Sequence, residues 1–302
     1  MGVKRMKSLA FGEVLWDIFE SGREIGGAPF NFSAHIAKLG LDSFIVTAVG
    51  KDPLGDETLK IIKNLGVKTD FVSAVAQPTG TCIVTVDENS QPSYNLTMPA
   101  AWDYIEPSPE LINRAASGEF DLFYFGTLAL RNTVSFTTLK TLLNRGSFGH
   151  VFCDLNLRQN YHSREIIEFA LKACSILKIN REELASVIKE KIICPDSDFE
   201  AACKQLAEGF DIKIILLTLD KDGAFIYKAE NGETVIPQKP VNKAVSCVGA
   251  GDSFSACFLA NYLHGHSLSD CAERAIMLSD FVVTKYGAIP DYPSELYAKI
   301  KP

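Results

Sequence analysis

Hydrophobic and polar positions change period several times along the chain. From about residue 120 onward, short apolar runs of strand length alternate with segments of helical period. Asp121 to Gly126, His150 to Asp154, Ser175 to Ile179 and Ile212 to Leu219 are continuous in apolar residues, as strands buried on both faces are. Between them, Glu165 to Cys174 and Phe199 to Glu208 carry apolar residues at helical spacing. This alternation predicts parallel strand-helix-strand units and an α/β fold: a doubly wound, mostly parallel sheet flanked by helices. Ser8 to Phe19 is predicted to be a first strand.

Two segments, at about 12–27 and 79–100, break the alternation. The second reads as a hairpin, Gly80 to Ser90 and Ser93 to Thr97 around an Asp/Asn/Ser turn. Together they predict a small β lid beside one large domain covering residues 1–302, with no linker, internal repeat or low-complexity tract. Ligands of open α/β sheets sit outside the carboxyl ends of the strands, so chemistry is expected there.

The 302 residues are 47% hydrophobic and carry 30 Lys+Arg against 37 Asp+Glu, a formal net charge of -7. An acidic balance argues against nucleic acid, whose binding is driven by cationic neutralisation of phosphates. Charges interrupt every apolar run before the roughly 18 residues of a membrane span. The basic start, Met1 to Lys7, is followed by Glu13 and Asp17 rather than by a cleavage site, which predicts a cytoplasmic protein. The eight cysteines (82, 153, 174, 194, 203, 247, 257, 271) form no CxxC pair and read as reduced residues, most of them in the core.

The strongest local signal is Gly249-Ala250-Gly251-Asp252, followed by an amphipathic helix expected from Ser253 to Leu263. Small residues at a helix start turn backbone N–H groups toward an anion, and the helix dipole adds partial positive charge. Asp252 is then either a favourable first-turn acid or a base that takes the proton of an attacking hydroxyl. Phe254 stands where GxGxxG would need glycine, and GxxxxGK[ST] is absent, which disfavours a dinucleotide fold and a P-loop.

Gly26-Gly27-Ala28-Pro29-Phe30-Asn31 leads into a helix expected at Phe32 to Leu39. The glycines permit close backbone approach to a ligand, and Asn31 is either an N-cap or a donor-acceptor for a sugar hydroxyl. Asp17 falls on the apolar side of its strand with Leu15 and Phe19 and needs a partner there. Period two would align Asp154, Asn156 and Arg158 on one face. Asn180 and Glu183 fit either a capping box or a phosphate and Mg²⁺ role. Thr218 to Gly223 closes the next strand with a turn.

In this order these motifs resemble the ribokinase-like (PfkB) sugar kinases, as do Val49-Gly50-Lys51-Asp52-Pro53-Leu54-Gly55 and Leu65-Gly66-Val67. The resemblance implies an ATP- and Mg²⁺-dependent kinase acting on a sugar hydroxyl, with a lid that pairs in a homodimer. Carried over by motif, Asp252 resembles the catalytic base and Gly249, Ala250 and Gly251 the anion hole. Arg158 resembles a site arginine, and Asp17, Gly26, Gly27 and Asn31 the sugar contacts. Asn180, Glu183, Thr218 and Gly223 match the nucleotide side, with Glu183 reaching Mg²⁺ through water. No lysine interrupts Ala28-Pro29-Phe30, so a neutral sugar is expected. The motif forms look most like fructokinases, with 2-keto-3-deoxygluconate and ribose as alternative acceptors. A weakly catalytic sugar-binding regulator is a rival reading. Ser246 replaces an acid associated with a monovalent-cation site, which puts K⁺ activation in doubt. Asp220 stands where the family often has glycine, so ATP contacts are expected to differ there.

Overall fold

The computed structural model describes residues 5–86, 92–194, 198–237, 239 and 242–302. The first four residues of the basic start and the hairpin turn expected at Asp87 to Ser90 lie outside the described residues.

In chain order the elements are β1 (Lys7–Phe11), β2 (Leu15–Phe19), β3 (Gly22–Gly26), α1 (Ala28–Lys38), β4 (Asp42–Gly50), α2 (Pro53–Asn64), β5 (Lys68–Val75), β6 (Gly80–Val86) and β7 (Pro92–Leu96). They continue with α3 (Pro109–Ala116), β8 (Leu122–Gly126), α4 (Thr133–Arg145), β9 (His150–Asp154), α5 (Arg164–Ala173), β10 (Ile176–Asn180), α6 (Arg181–Lys189) and α7 (Phe199–Phe210). The last are β11 (Ile214–Thr218), β12 (Ala224–Lys228), β13 (Glu233–Val235), α8 (Ala250–Leu263), α9 (Leu268–Val282) and α10 (Ser294–Ile300).

Nine strands form the main sheet in the order β13-β12-β11-β10-β9-β8-β1-β4-β5. Every pair from β11 to β5 is parallel, and only β12 and β13 run antiparallel at one edge. The predicted parallel, doubly wound sheet is therefore present, and the alternation extends into the amino-terminal half. The chain leaves β1 first toward β4 and later toward β8, so β1 marks the switch point where such sheets bind ligands. One apolar cluster fills the face under α3 to α7 and a second the face under α1, α8, α9 and α10.

The lid is a separate sheet of order β3-β2-β6-β7, formed by the two segments that broke the pattern. The expected strand from Ser8 to Phe19 is in fact two strands in different sheets. Gly12 breaks it at φ 144, where a β carbon would meet Pro29 Cγ at 2.6 Å. The lid is tied down at α2. Asp52 caps that helix through Gly55 N–H (2.8 Å) and accepts from the Thr79 N–H (2.8 Å) and hydroxyl (2.7 Å) at the start of the lid hairpin. Burial opposes the Asp52 charge, but these Thr79 and Gly55 bonds hold its carboxyl below the usual range. The Val49–Gly55 motif is thus the lid's anchor.

The helix after Gly249 begins at Ala250, three residues earlier than expected, and Ser253 to Asn261 are all buried. It is wedged among its neighbours rather than amphipathic at a surface, which is why Phe254 occupies the core.

Candidate active site

The amino termini of α8 and α1 meet the ends of β9 and β10, and the end of β11 lines the same cleft as β10 and α8. Gly249 takes the left-handed conformation, φ 79, and caps α8. A side chain there would be strained and would strike the Ala288 backbone at 2.7 Å, so glycine is required twice over. The first-turn N–H groups of a helix have no acceptor within it. That of Ala250 reaches only Cys247 O at 3.4 Å, leaving the turn aimed at a ligand anion.

Asp252 lies in this first turn and is half-buried. Burial and then the charge of Asp154 push its carboxyl up to about 6, against the Asn31 hydrogen bond, Lys178 and Arg158. Asn31 Nδ2 donates to Asp252 Oδ2 at 2.8 Å, joining two motifs 221 residues apart. The expected cap role of Asn31 does not hold. Pro29, which lacks an N–H, starts α1 early, Gly27 at φ 110 is the cap, and Asn31 is inside the helix.

Gly27 admits no side chain because a β carbon would lie 2.6 Å from Glu13 O. Gly26 keeps Asp17 close, with 3.2 Å from its β-carbon position to Asp17 Oδ2. Asp17 does share its face with Leu15 and Phe19, packed with Cys82 and Val84 in the lid cluster. Burial raises its carboxyl, while the Cys82 thiol and the Arg158 charge oppose the rise. The period-two argument for Asp154, Asn156 and Arg158 fails: β9 ends at Asp154 and Asn156 turns left-handed at φ 41. Arg158 nonetheless comes within electrostatic reach of Glu13, Asp17 and Asp252, as an exposed guanidinium at the sugar-motif end.

Lys178, which sequence reasoning missed, is the buried cation of the site. Its ammonium pairs with Asp154 at 3.0 Å and lies 3.4 Å from the position a Gly251 β carbon would take. Burial alone would lower it, but Asp154 and Glu183 hold it above the ordinary lysine range. The signal available in the sequence was one charged residue inside an otherwise apolar strand. Glu13 was also missed, since a glutamate between two strands resembles a loop residue.

Asn180 and Glu183 form the reciprocal capping box: Glu183 N–H to Asn180 Oδ1 and Asn180 N–H to Glu183 Oε2, both 2.8 Å. The other Glu183 oxygen accepts the Leu157 N–H at 3.1 Å. Burial raises this carboxyl although Lys178 opposes it. Glu183 therefore stands behind the cleft wall rather than on it.

Asn180, Thr218, Gly223, Ala250, Gly251 and Lys178 line one cleft of about 720 Å³. Phe254, Ile276 and Val283 give its other wall an apolar surface suited to a base. In the Thr218 to Gly223 turn, Asp220 adopts the left-handed φ 53 that the sequence suggested an aspartate would tolerate. Asp222 at the mouth pairs with Arg181 (2.9 Å) and Lys239 (3.3 Å). Ser246 accepts the Val248 N–H at 3.2 Å within the loop entering α8.

All eight cysteines are free, six of them buried and Cys194 and Cys247 exposed. Of the five histidines, His35 is enclosed by Tyr292 and Ala288 O, and burial lowers it to about 4. Among the described residues no helix is long and apolar enough to cross a membrane.

The signature of the pfkB family carbohydrate kinases spans residues 4–295. The chain is 28% identical over 257 residues to a fructokinase of Klebsiella pneumoniae, covering 81% of this chain and 78% of the relative. It is 26% identical over 310 residues to an ATP-dependent 6-phosphofructokinase of Thermoanaerobacterium thermosaccharolyticum, covering 96% and 92%. A fructokinase from Xylella fastidiosa with bound ATP superposes with a TM-score of 0.82 at 21% identity over 97% of this chain and 98% of that one. The chain belongs to the pfkB family of carbohydrate kinases.

Proposed function

We propose that residues 1–302 work as one kinase unit that transfers the γ-phosphoryl group of ATP to a hydroxyl of a neutral sugar, with D-fructose as the first acceptor. The observation that carries this reading is the half-buried Asp252 in the first turn of α8, held by Asn31 beside the Ala250–Gly251 wall of the apolar-sided cleft. Asn180, Thr218 and Gly223 bind the nucleotide. Asp17, Gly26, Gly27 and Asn31 bind the sugar. Asp252 accepts the proton of the attacking hydroxyl, and the first turn of α8 with Gly249, Ala250 and Gly251 stabilises the charge on the transferred group. Lys178 and Arg158 add cationic charge from either side. The catalytic contribution is chiefly positioning and electrostatics.

Mg²⁺ fits the donor set as a companion of the triphosphate rather than as a caged ion. Among the described residues no group of three His, Cys, Asp or Glu could hold a metal, and Mg²⁺ characteristically uses one or two carboxylates, substrate phosphates and water. Glu183, whose carboxylate is held by backbone N–H groups behind the cleft wall, would reach such an ion only through water, and Mg²⁺ bound there would neutralise phosphate charge. Ser246 offers one hydroxyl where a carboxylate would hold K⁺ strongly, so activation by K⁺ is not part of this reading. The exposed edges of the lid, β3 and β7, would join two copies in a homodimer in the cytoplasm.

One observation favours a second acceptor. Arg158 is exposed at the sugar end and makes no ion pair among the described residues, so a sugar acid such as 2-keto-3-deoxygluconate would find a partner for its carboxylate. An ADP-release assay with fructose, ribose, 2-keto-3-deoxygluconate and fructose 6-phosphate decides between them. The highest kcat/KM on fructose supports the first reading, and on the sugar acid the second. Preference for fructose 6-phosphate contradicts the neutral-sugar assignment, and sugar binding without turnover revives the regulator.

A further inference from the structure

Three polar side chains of α1, Asn31, His35 and Lys38, stand four and then three residues apart and so share one helix face. Asn31 holds Asp252 in the first turn of α8. His35 and Lys38 hold the segment between α9 and α10, from Ala288 to Tyr292. Lys38 donates to the Pro290 carbonyl at 3.2 Å and pairs with Asp291 at 2.6 Å, and its ammonium lies over the Tyr292 ring. His35 is 0% exposed; its Nε2 meets the Ala288 carbonyl at 3.0 Å and its Nδ1 meets the Tyr292 hydroxyl.

These partners fix the proton on the ring. A carbonyl only accepts, so Nε2 carries the hydrogen and Nδ1 accepts from Tyr292. The carbonyl held in this way backs the cap of α8. A β carbon on Gly249 would lie 2.7 Å from Ala288 Cα and 2.8 Å from Ala288 O, so the two backbones pack directly against each other. Ala288 is 4% exposed, and a carbonyl released from His35 would need another donor. Beside it stands the first turn of α8, whose N–H groups have no acceptor within the helix.

We propose that His35 is a positioning residue for the anion hole: by holding the Ala288 carbonyl it keeps the wall behind Gly249 in place and keeps a rival acceptor off the N–H groups that meet the transferred phosphoryl group. Through Asn31 and His35, one face of α1 sets both the base and the anion hole. Burial, the largest cause, lowers the ring to about 4, so the neutral tautomer persists at working pH. This inference rests on the reading of Gly249, Ala250 and Gly251 as the anion hole.

The test compares His35→Leu, which keeps bulk and removes the donor, with His35→Gln, which returns an N–H near the place of Nε2. The readouts are kcat, KM for fructose, and calorimetric affinity for ADP alone and for ADP–aluminium fluoride with Mg²⁺ and fructose, a mimic of the transferring group. His35→Leu should lower kcat and the affinity for the fluoride complex about tenfold, leave KM for fructose and Kd for ADP within about twofold, and be rescued by His35→Gln to within about threefold of wild type. Equal losses for ADP and for the fluoride complex mark a merely structural role and overturn the proposal, as does a His35→Gln no better than His35→Leu. Should these variants not fold, Tyr292→Phe, which deletes only the hydroxyl on Nδ1, should lower kcat about threefold, and nitrogen-15 NMR of wild type should show Nε2–H with a bare Nδ1. Unchanged kcat in Tyr292→Phe together with an Nδ1–H tautomer refutes it. Gly249→Ala separates the two readings: unchanged affinity for the fluoride complex there faults the anion hole itself, whereas a loss there with none in His35→Leu refutes only the part given to His35.

Discussion

Asn31 is where the two glycine motifs meet, so its truncation should be felt at the sugar. Asn31→Ala is expected to raise KM for sugar more than KM for ATP in steady-state kinetics, because its side-chain amide bonds to Asp252 and does not line the nucleotide cleft. Asp252 itself is held at a cost to stability. A carboxyl whose value rises on folding contributes stability below its unfolded value and loses it as pH rises through the folded one. For Asp252 that window runs from 3.8 to about 6, and for Glu13 from 4.5 to about 7. Asp252→Asn should therefore melt higher than wild type at pH 8, by up to about 3 kcal/mol, and show no such gain near pH 3.5. A melting difference independent of pH would contradict the burial of this charge.

At the level of elements, β8 to β11 were legible because strands covered on both faces are continuous apolar runs, and no short-range competitor offered those segments another structure. The lid was legible by its failure to alternate. Boundaries were not. α1 and α8 each start three or four residues early because Pro29 and the left-handed Gly249 favour initiation where apolar period alone gives no mark. The split of β1 from β2 depends on Gly12 meeting Pro29, a contact across 17 positions that no local pattern encodes. In the site, Asp252, Gly249 and Asn31 announced themselves as motifs, whereas Lys178 and Glu13 acquire meaning only from what surrounds them. The anchor of the lid gives a test at this scale. Asp52→Ala removes a helix cap and both Thr79 bonds, so it should cost about 1–2 kcal/mol in denaturant unfolding and, with Asp17 as the proposed sugar contact on the lid, raise KM for sugar. Breaking the buried pair by Lys178→Met should cost more, about 3–5 kcal/mol, because Asp154 is then buried and unpaired.

Across the whole molecule, the parallel sheet places the ends of β9, β10 and β11 along one side of α8 and the β1 switch point along the other. In the proposed assignment, ATP and sugar would approach the first turn of α8 from opposite sides, which suits in-line transfer. The lid is tied to the main domain by chain crossings and, at α2, by the Asp52 anchor, the Trp16 Nε1–H bond to Thr58 Oγ1 (2.9 Å) and the Arg23–Glu57 ion pair (2.7 Å), so α2 is its main support. The central claim is that Asp252 is the base at this junction. Single-turnover phosphoryl transfer with saturating ATP, Mg²⁺ and fructose, measured on wild type and Asp252→Asn beside calorimetric sugar binding, tests it most directly. The account predicts a rate lower by about 10² to 10⁴ with the fructose Kd little changed. A near-normal rate, or a loss explained wholly by weaker sugar binding, would contradict it.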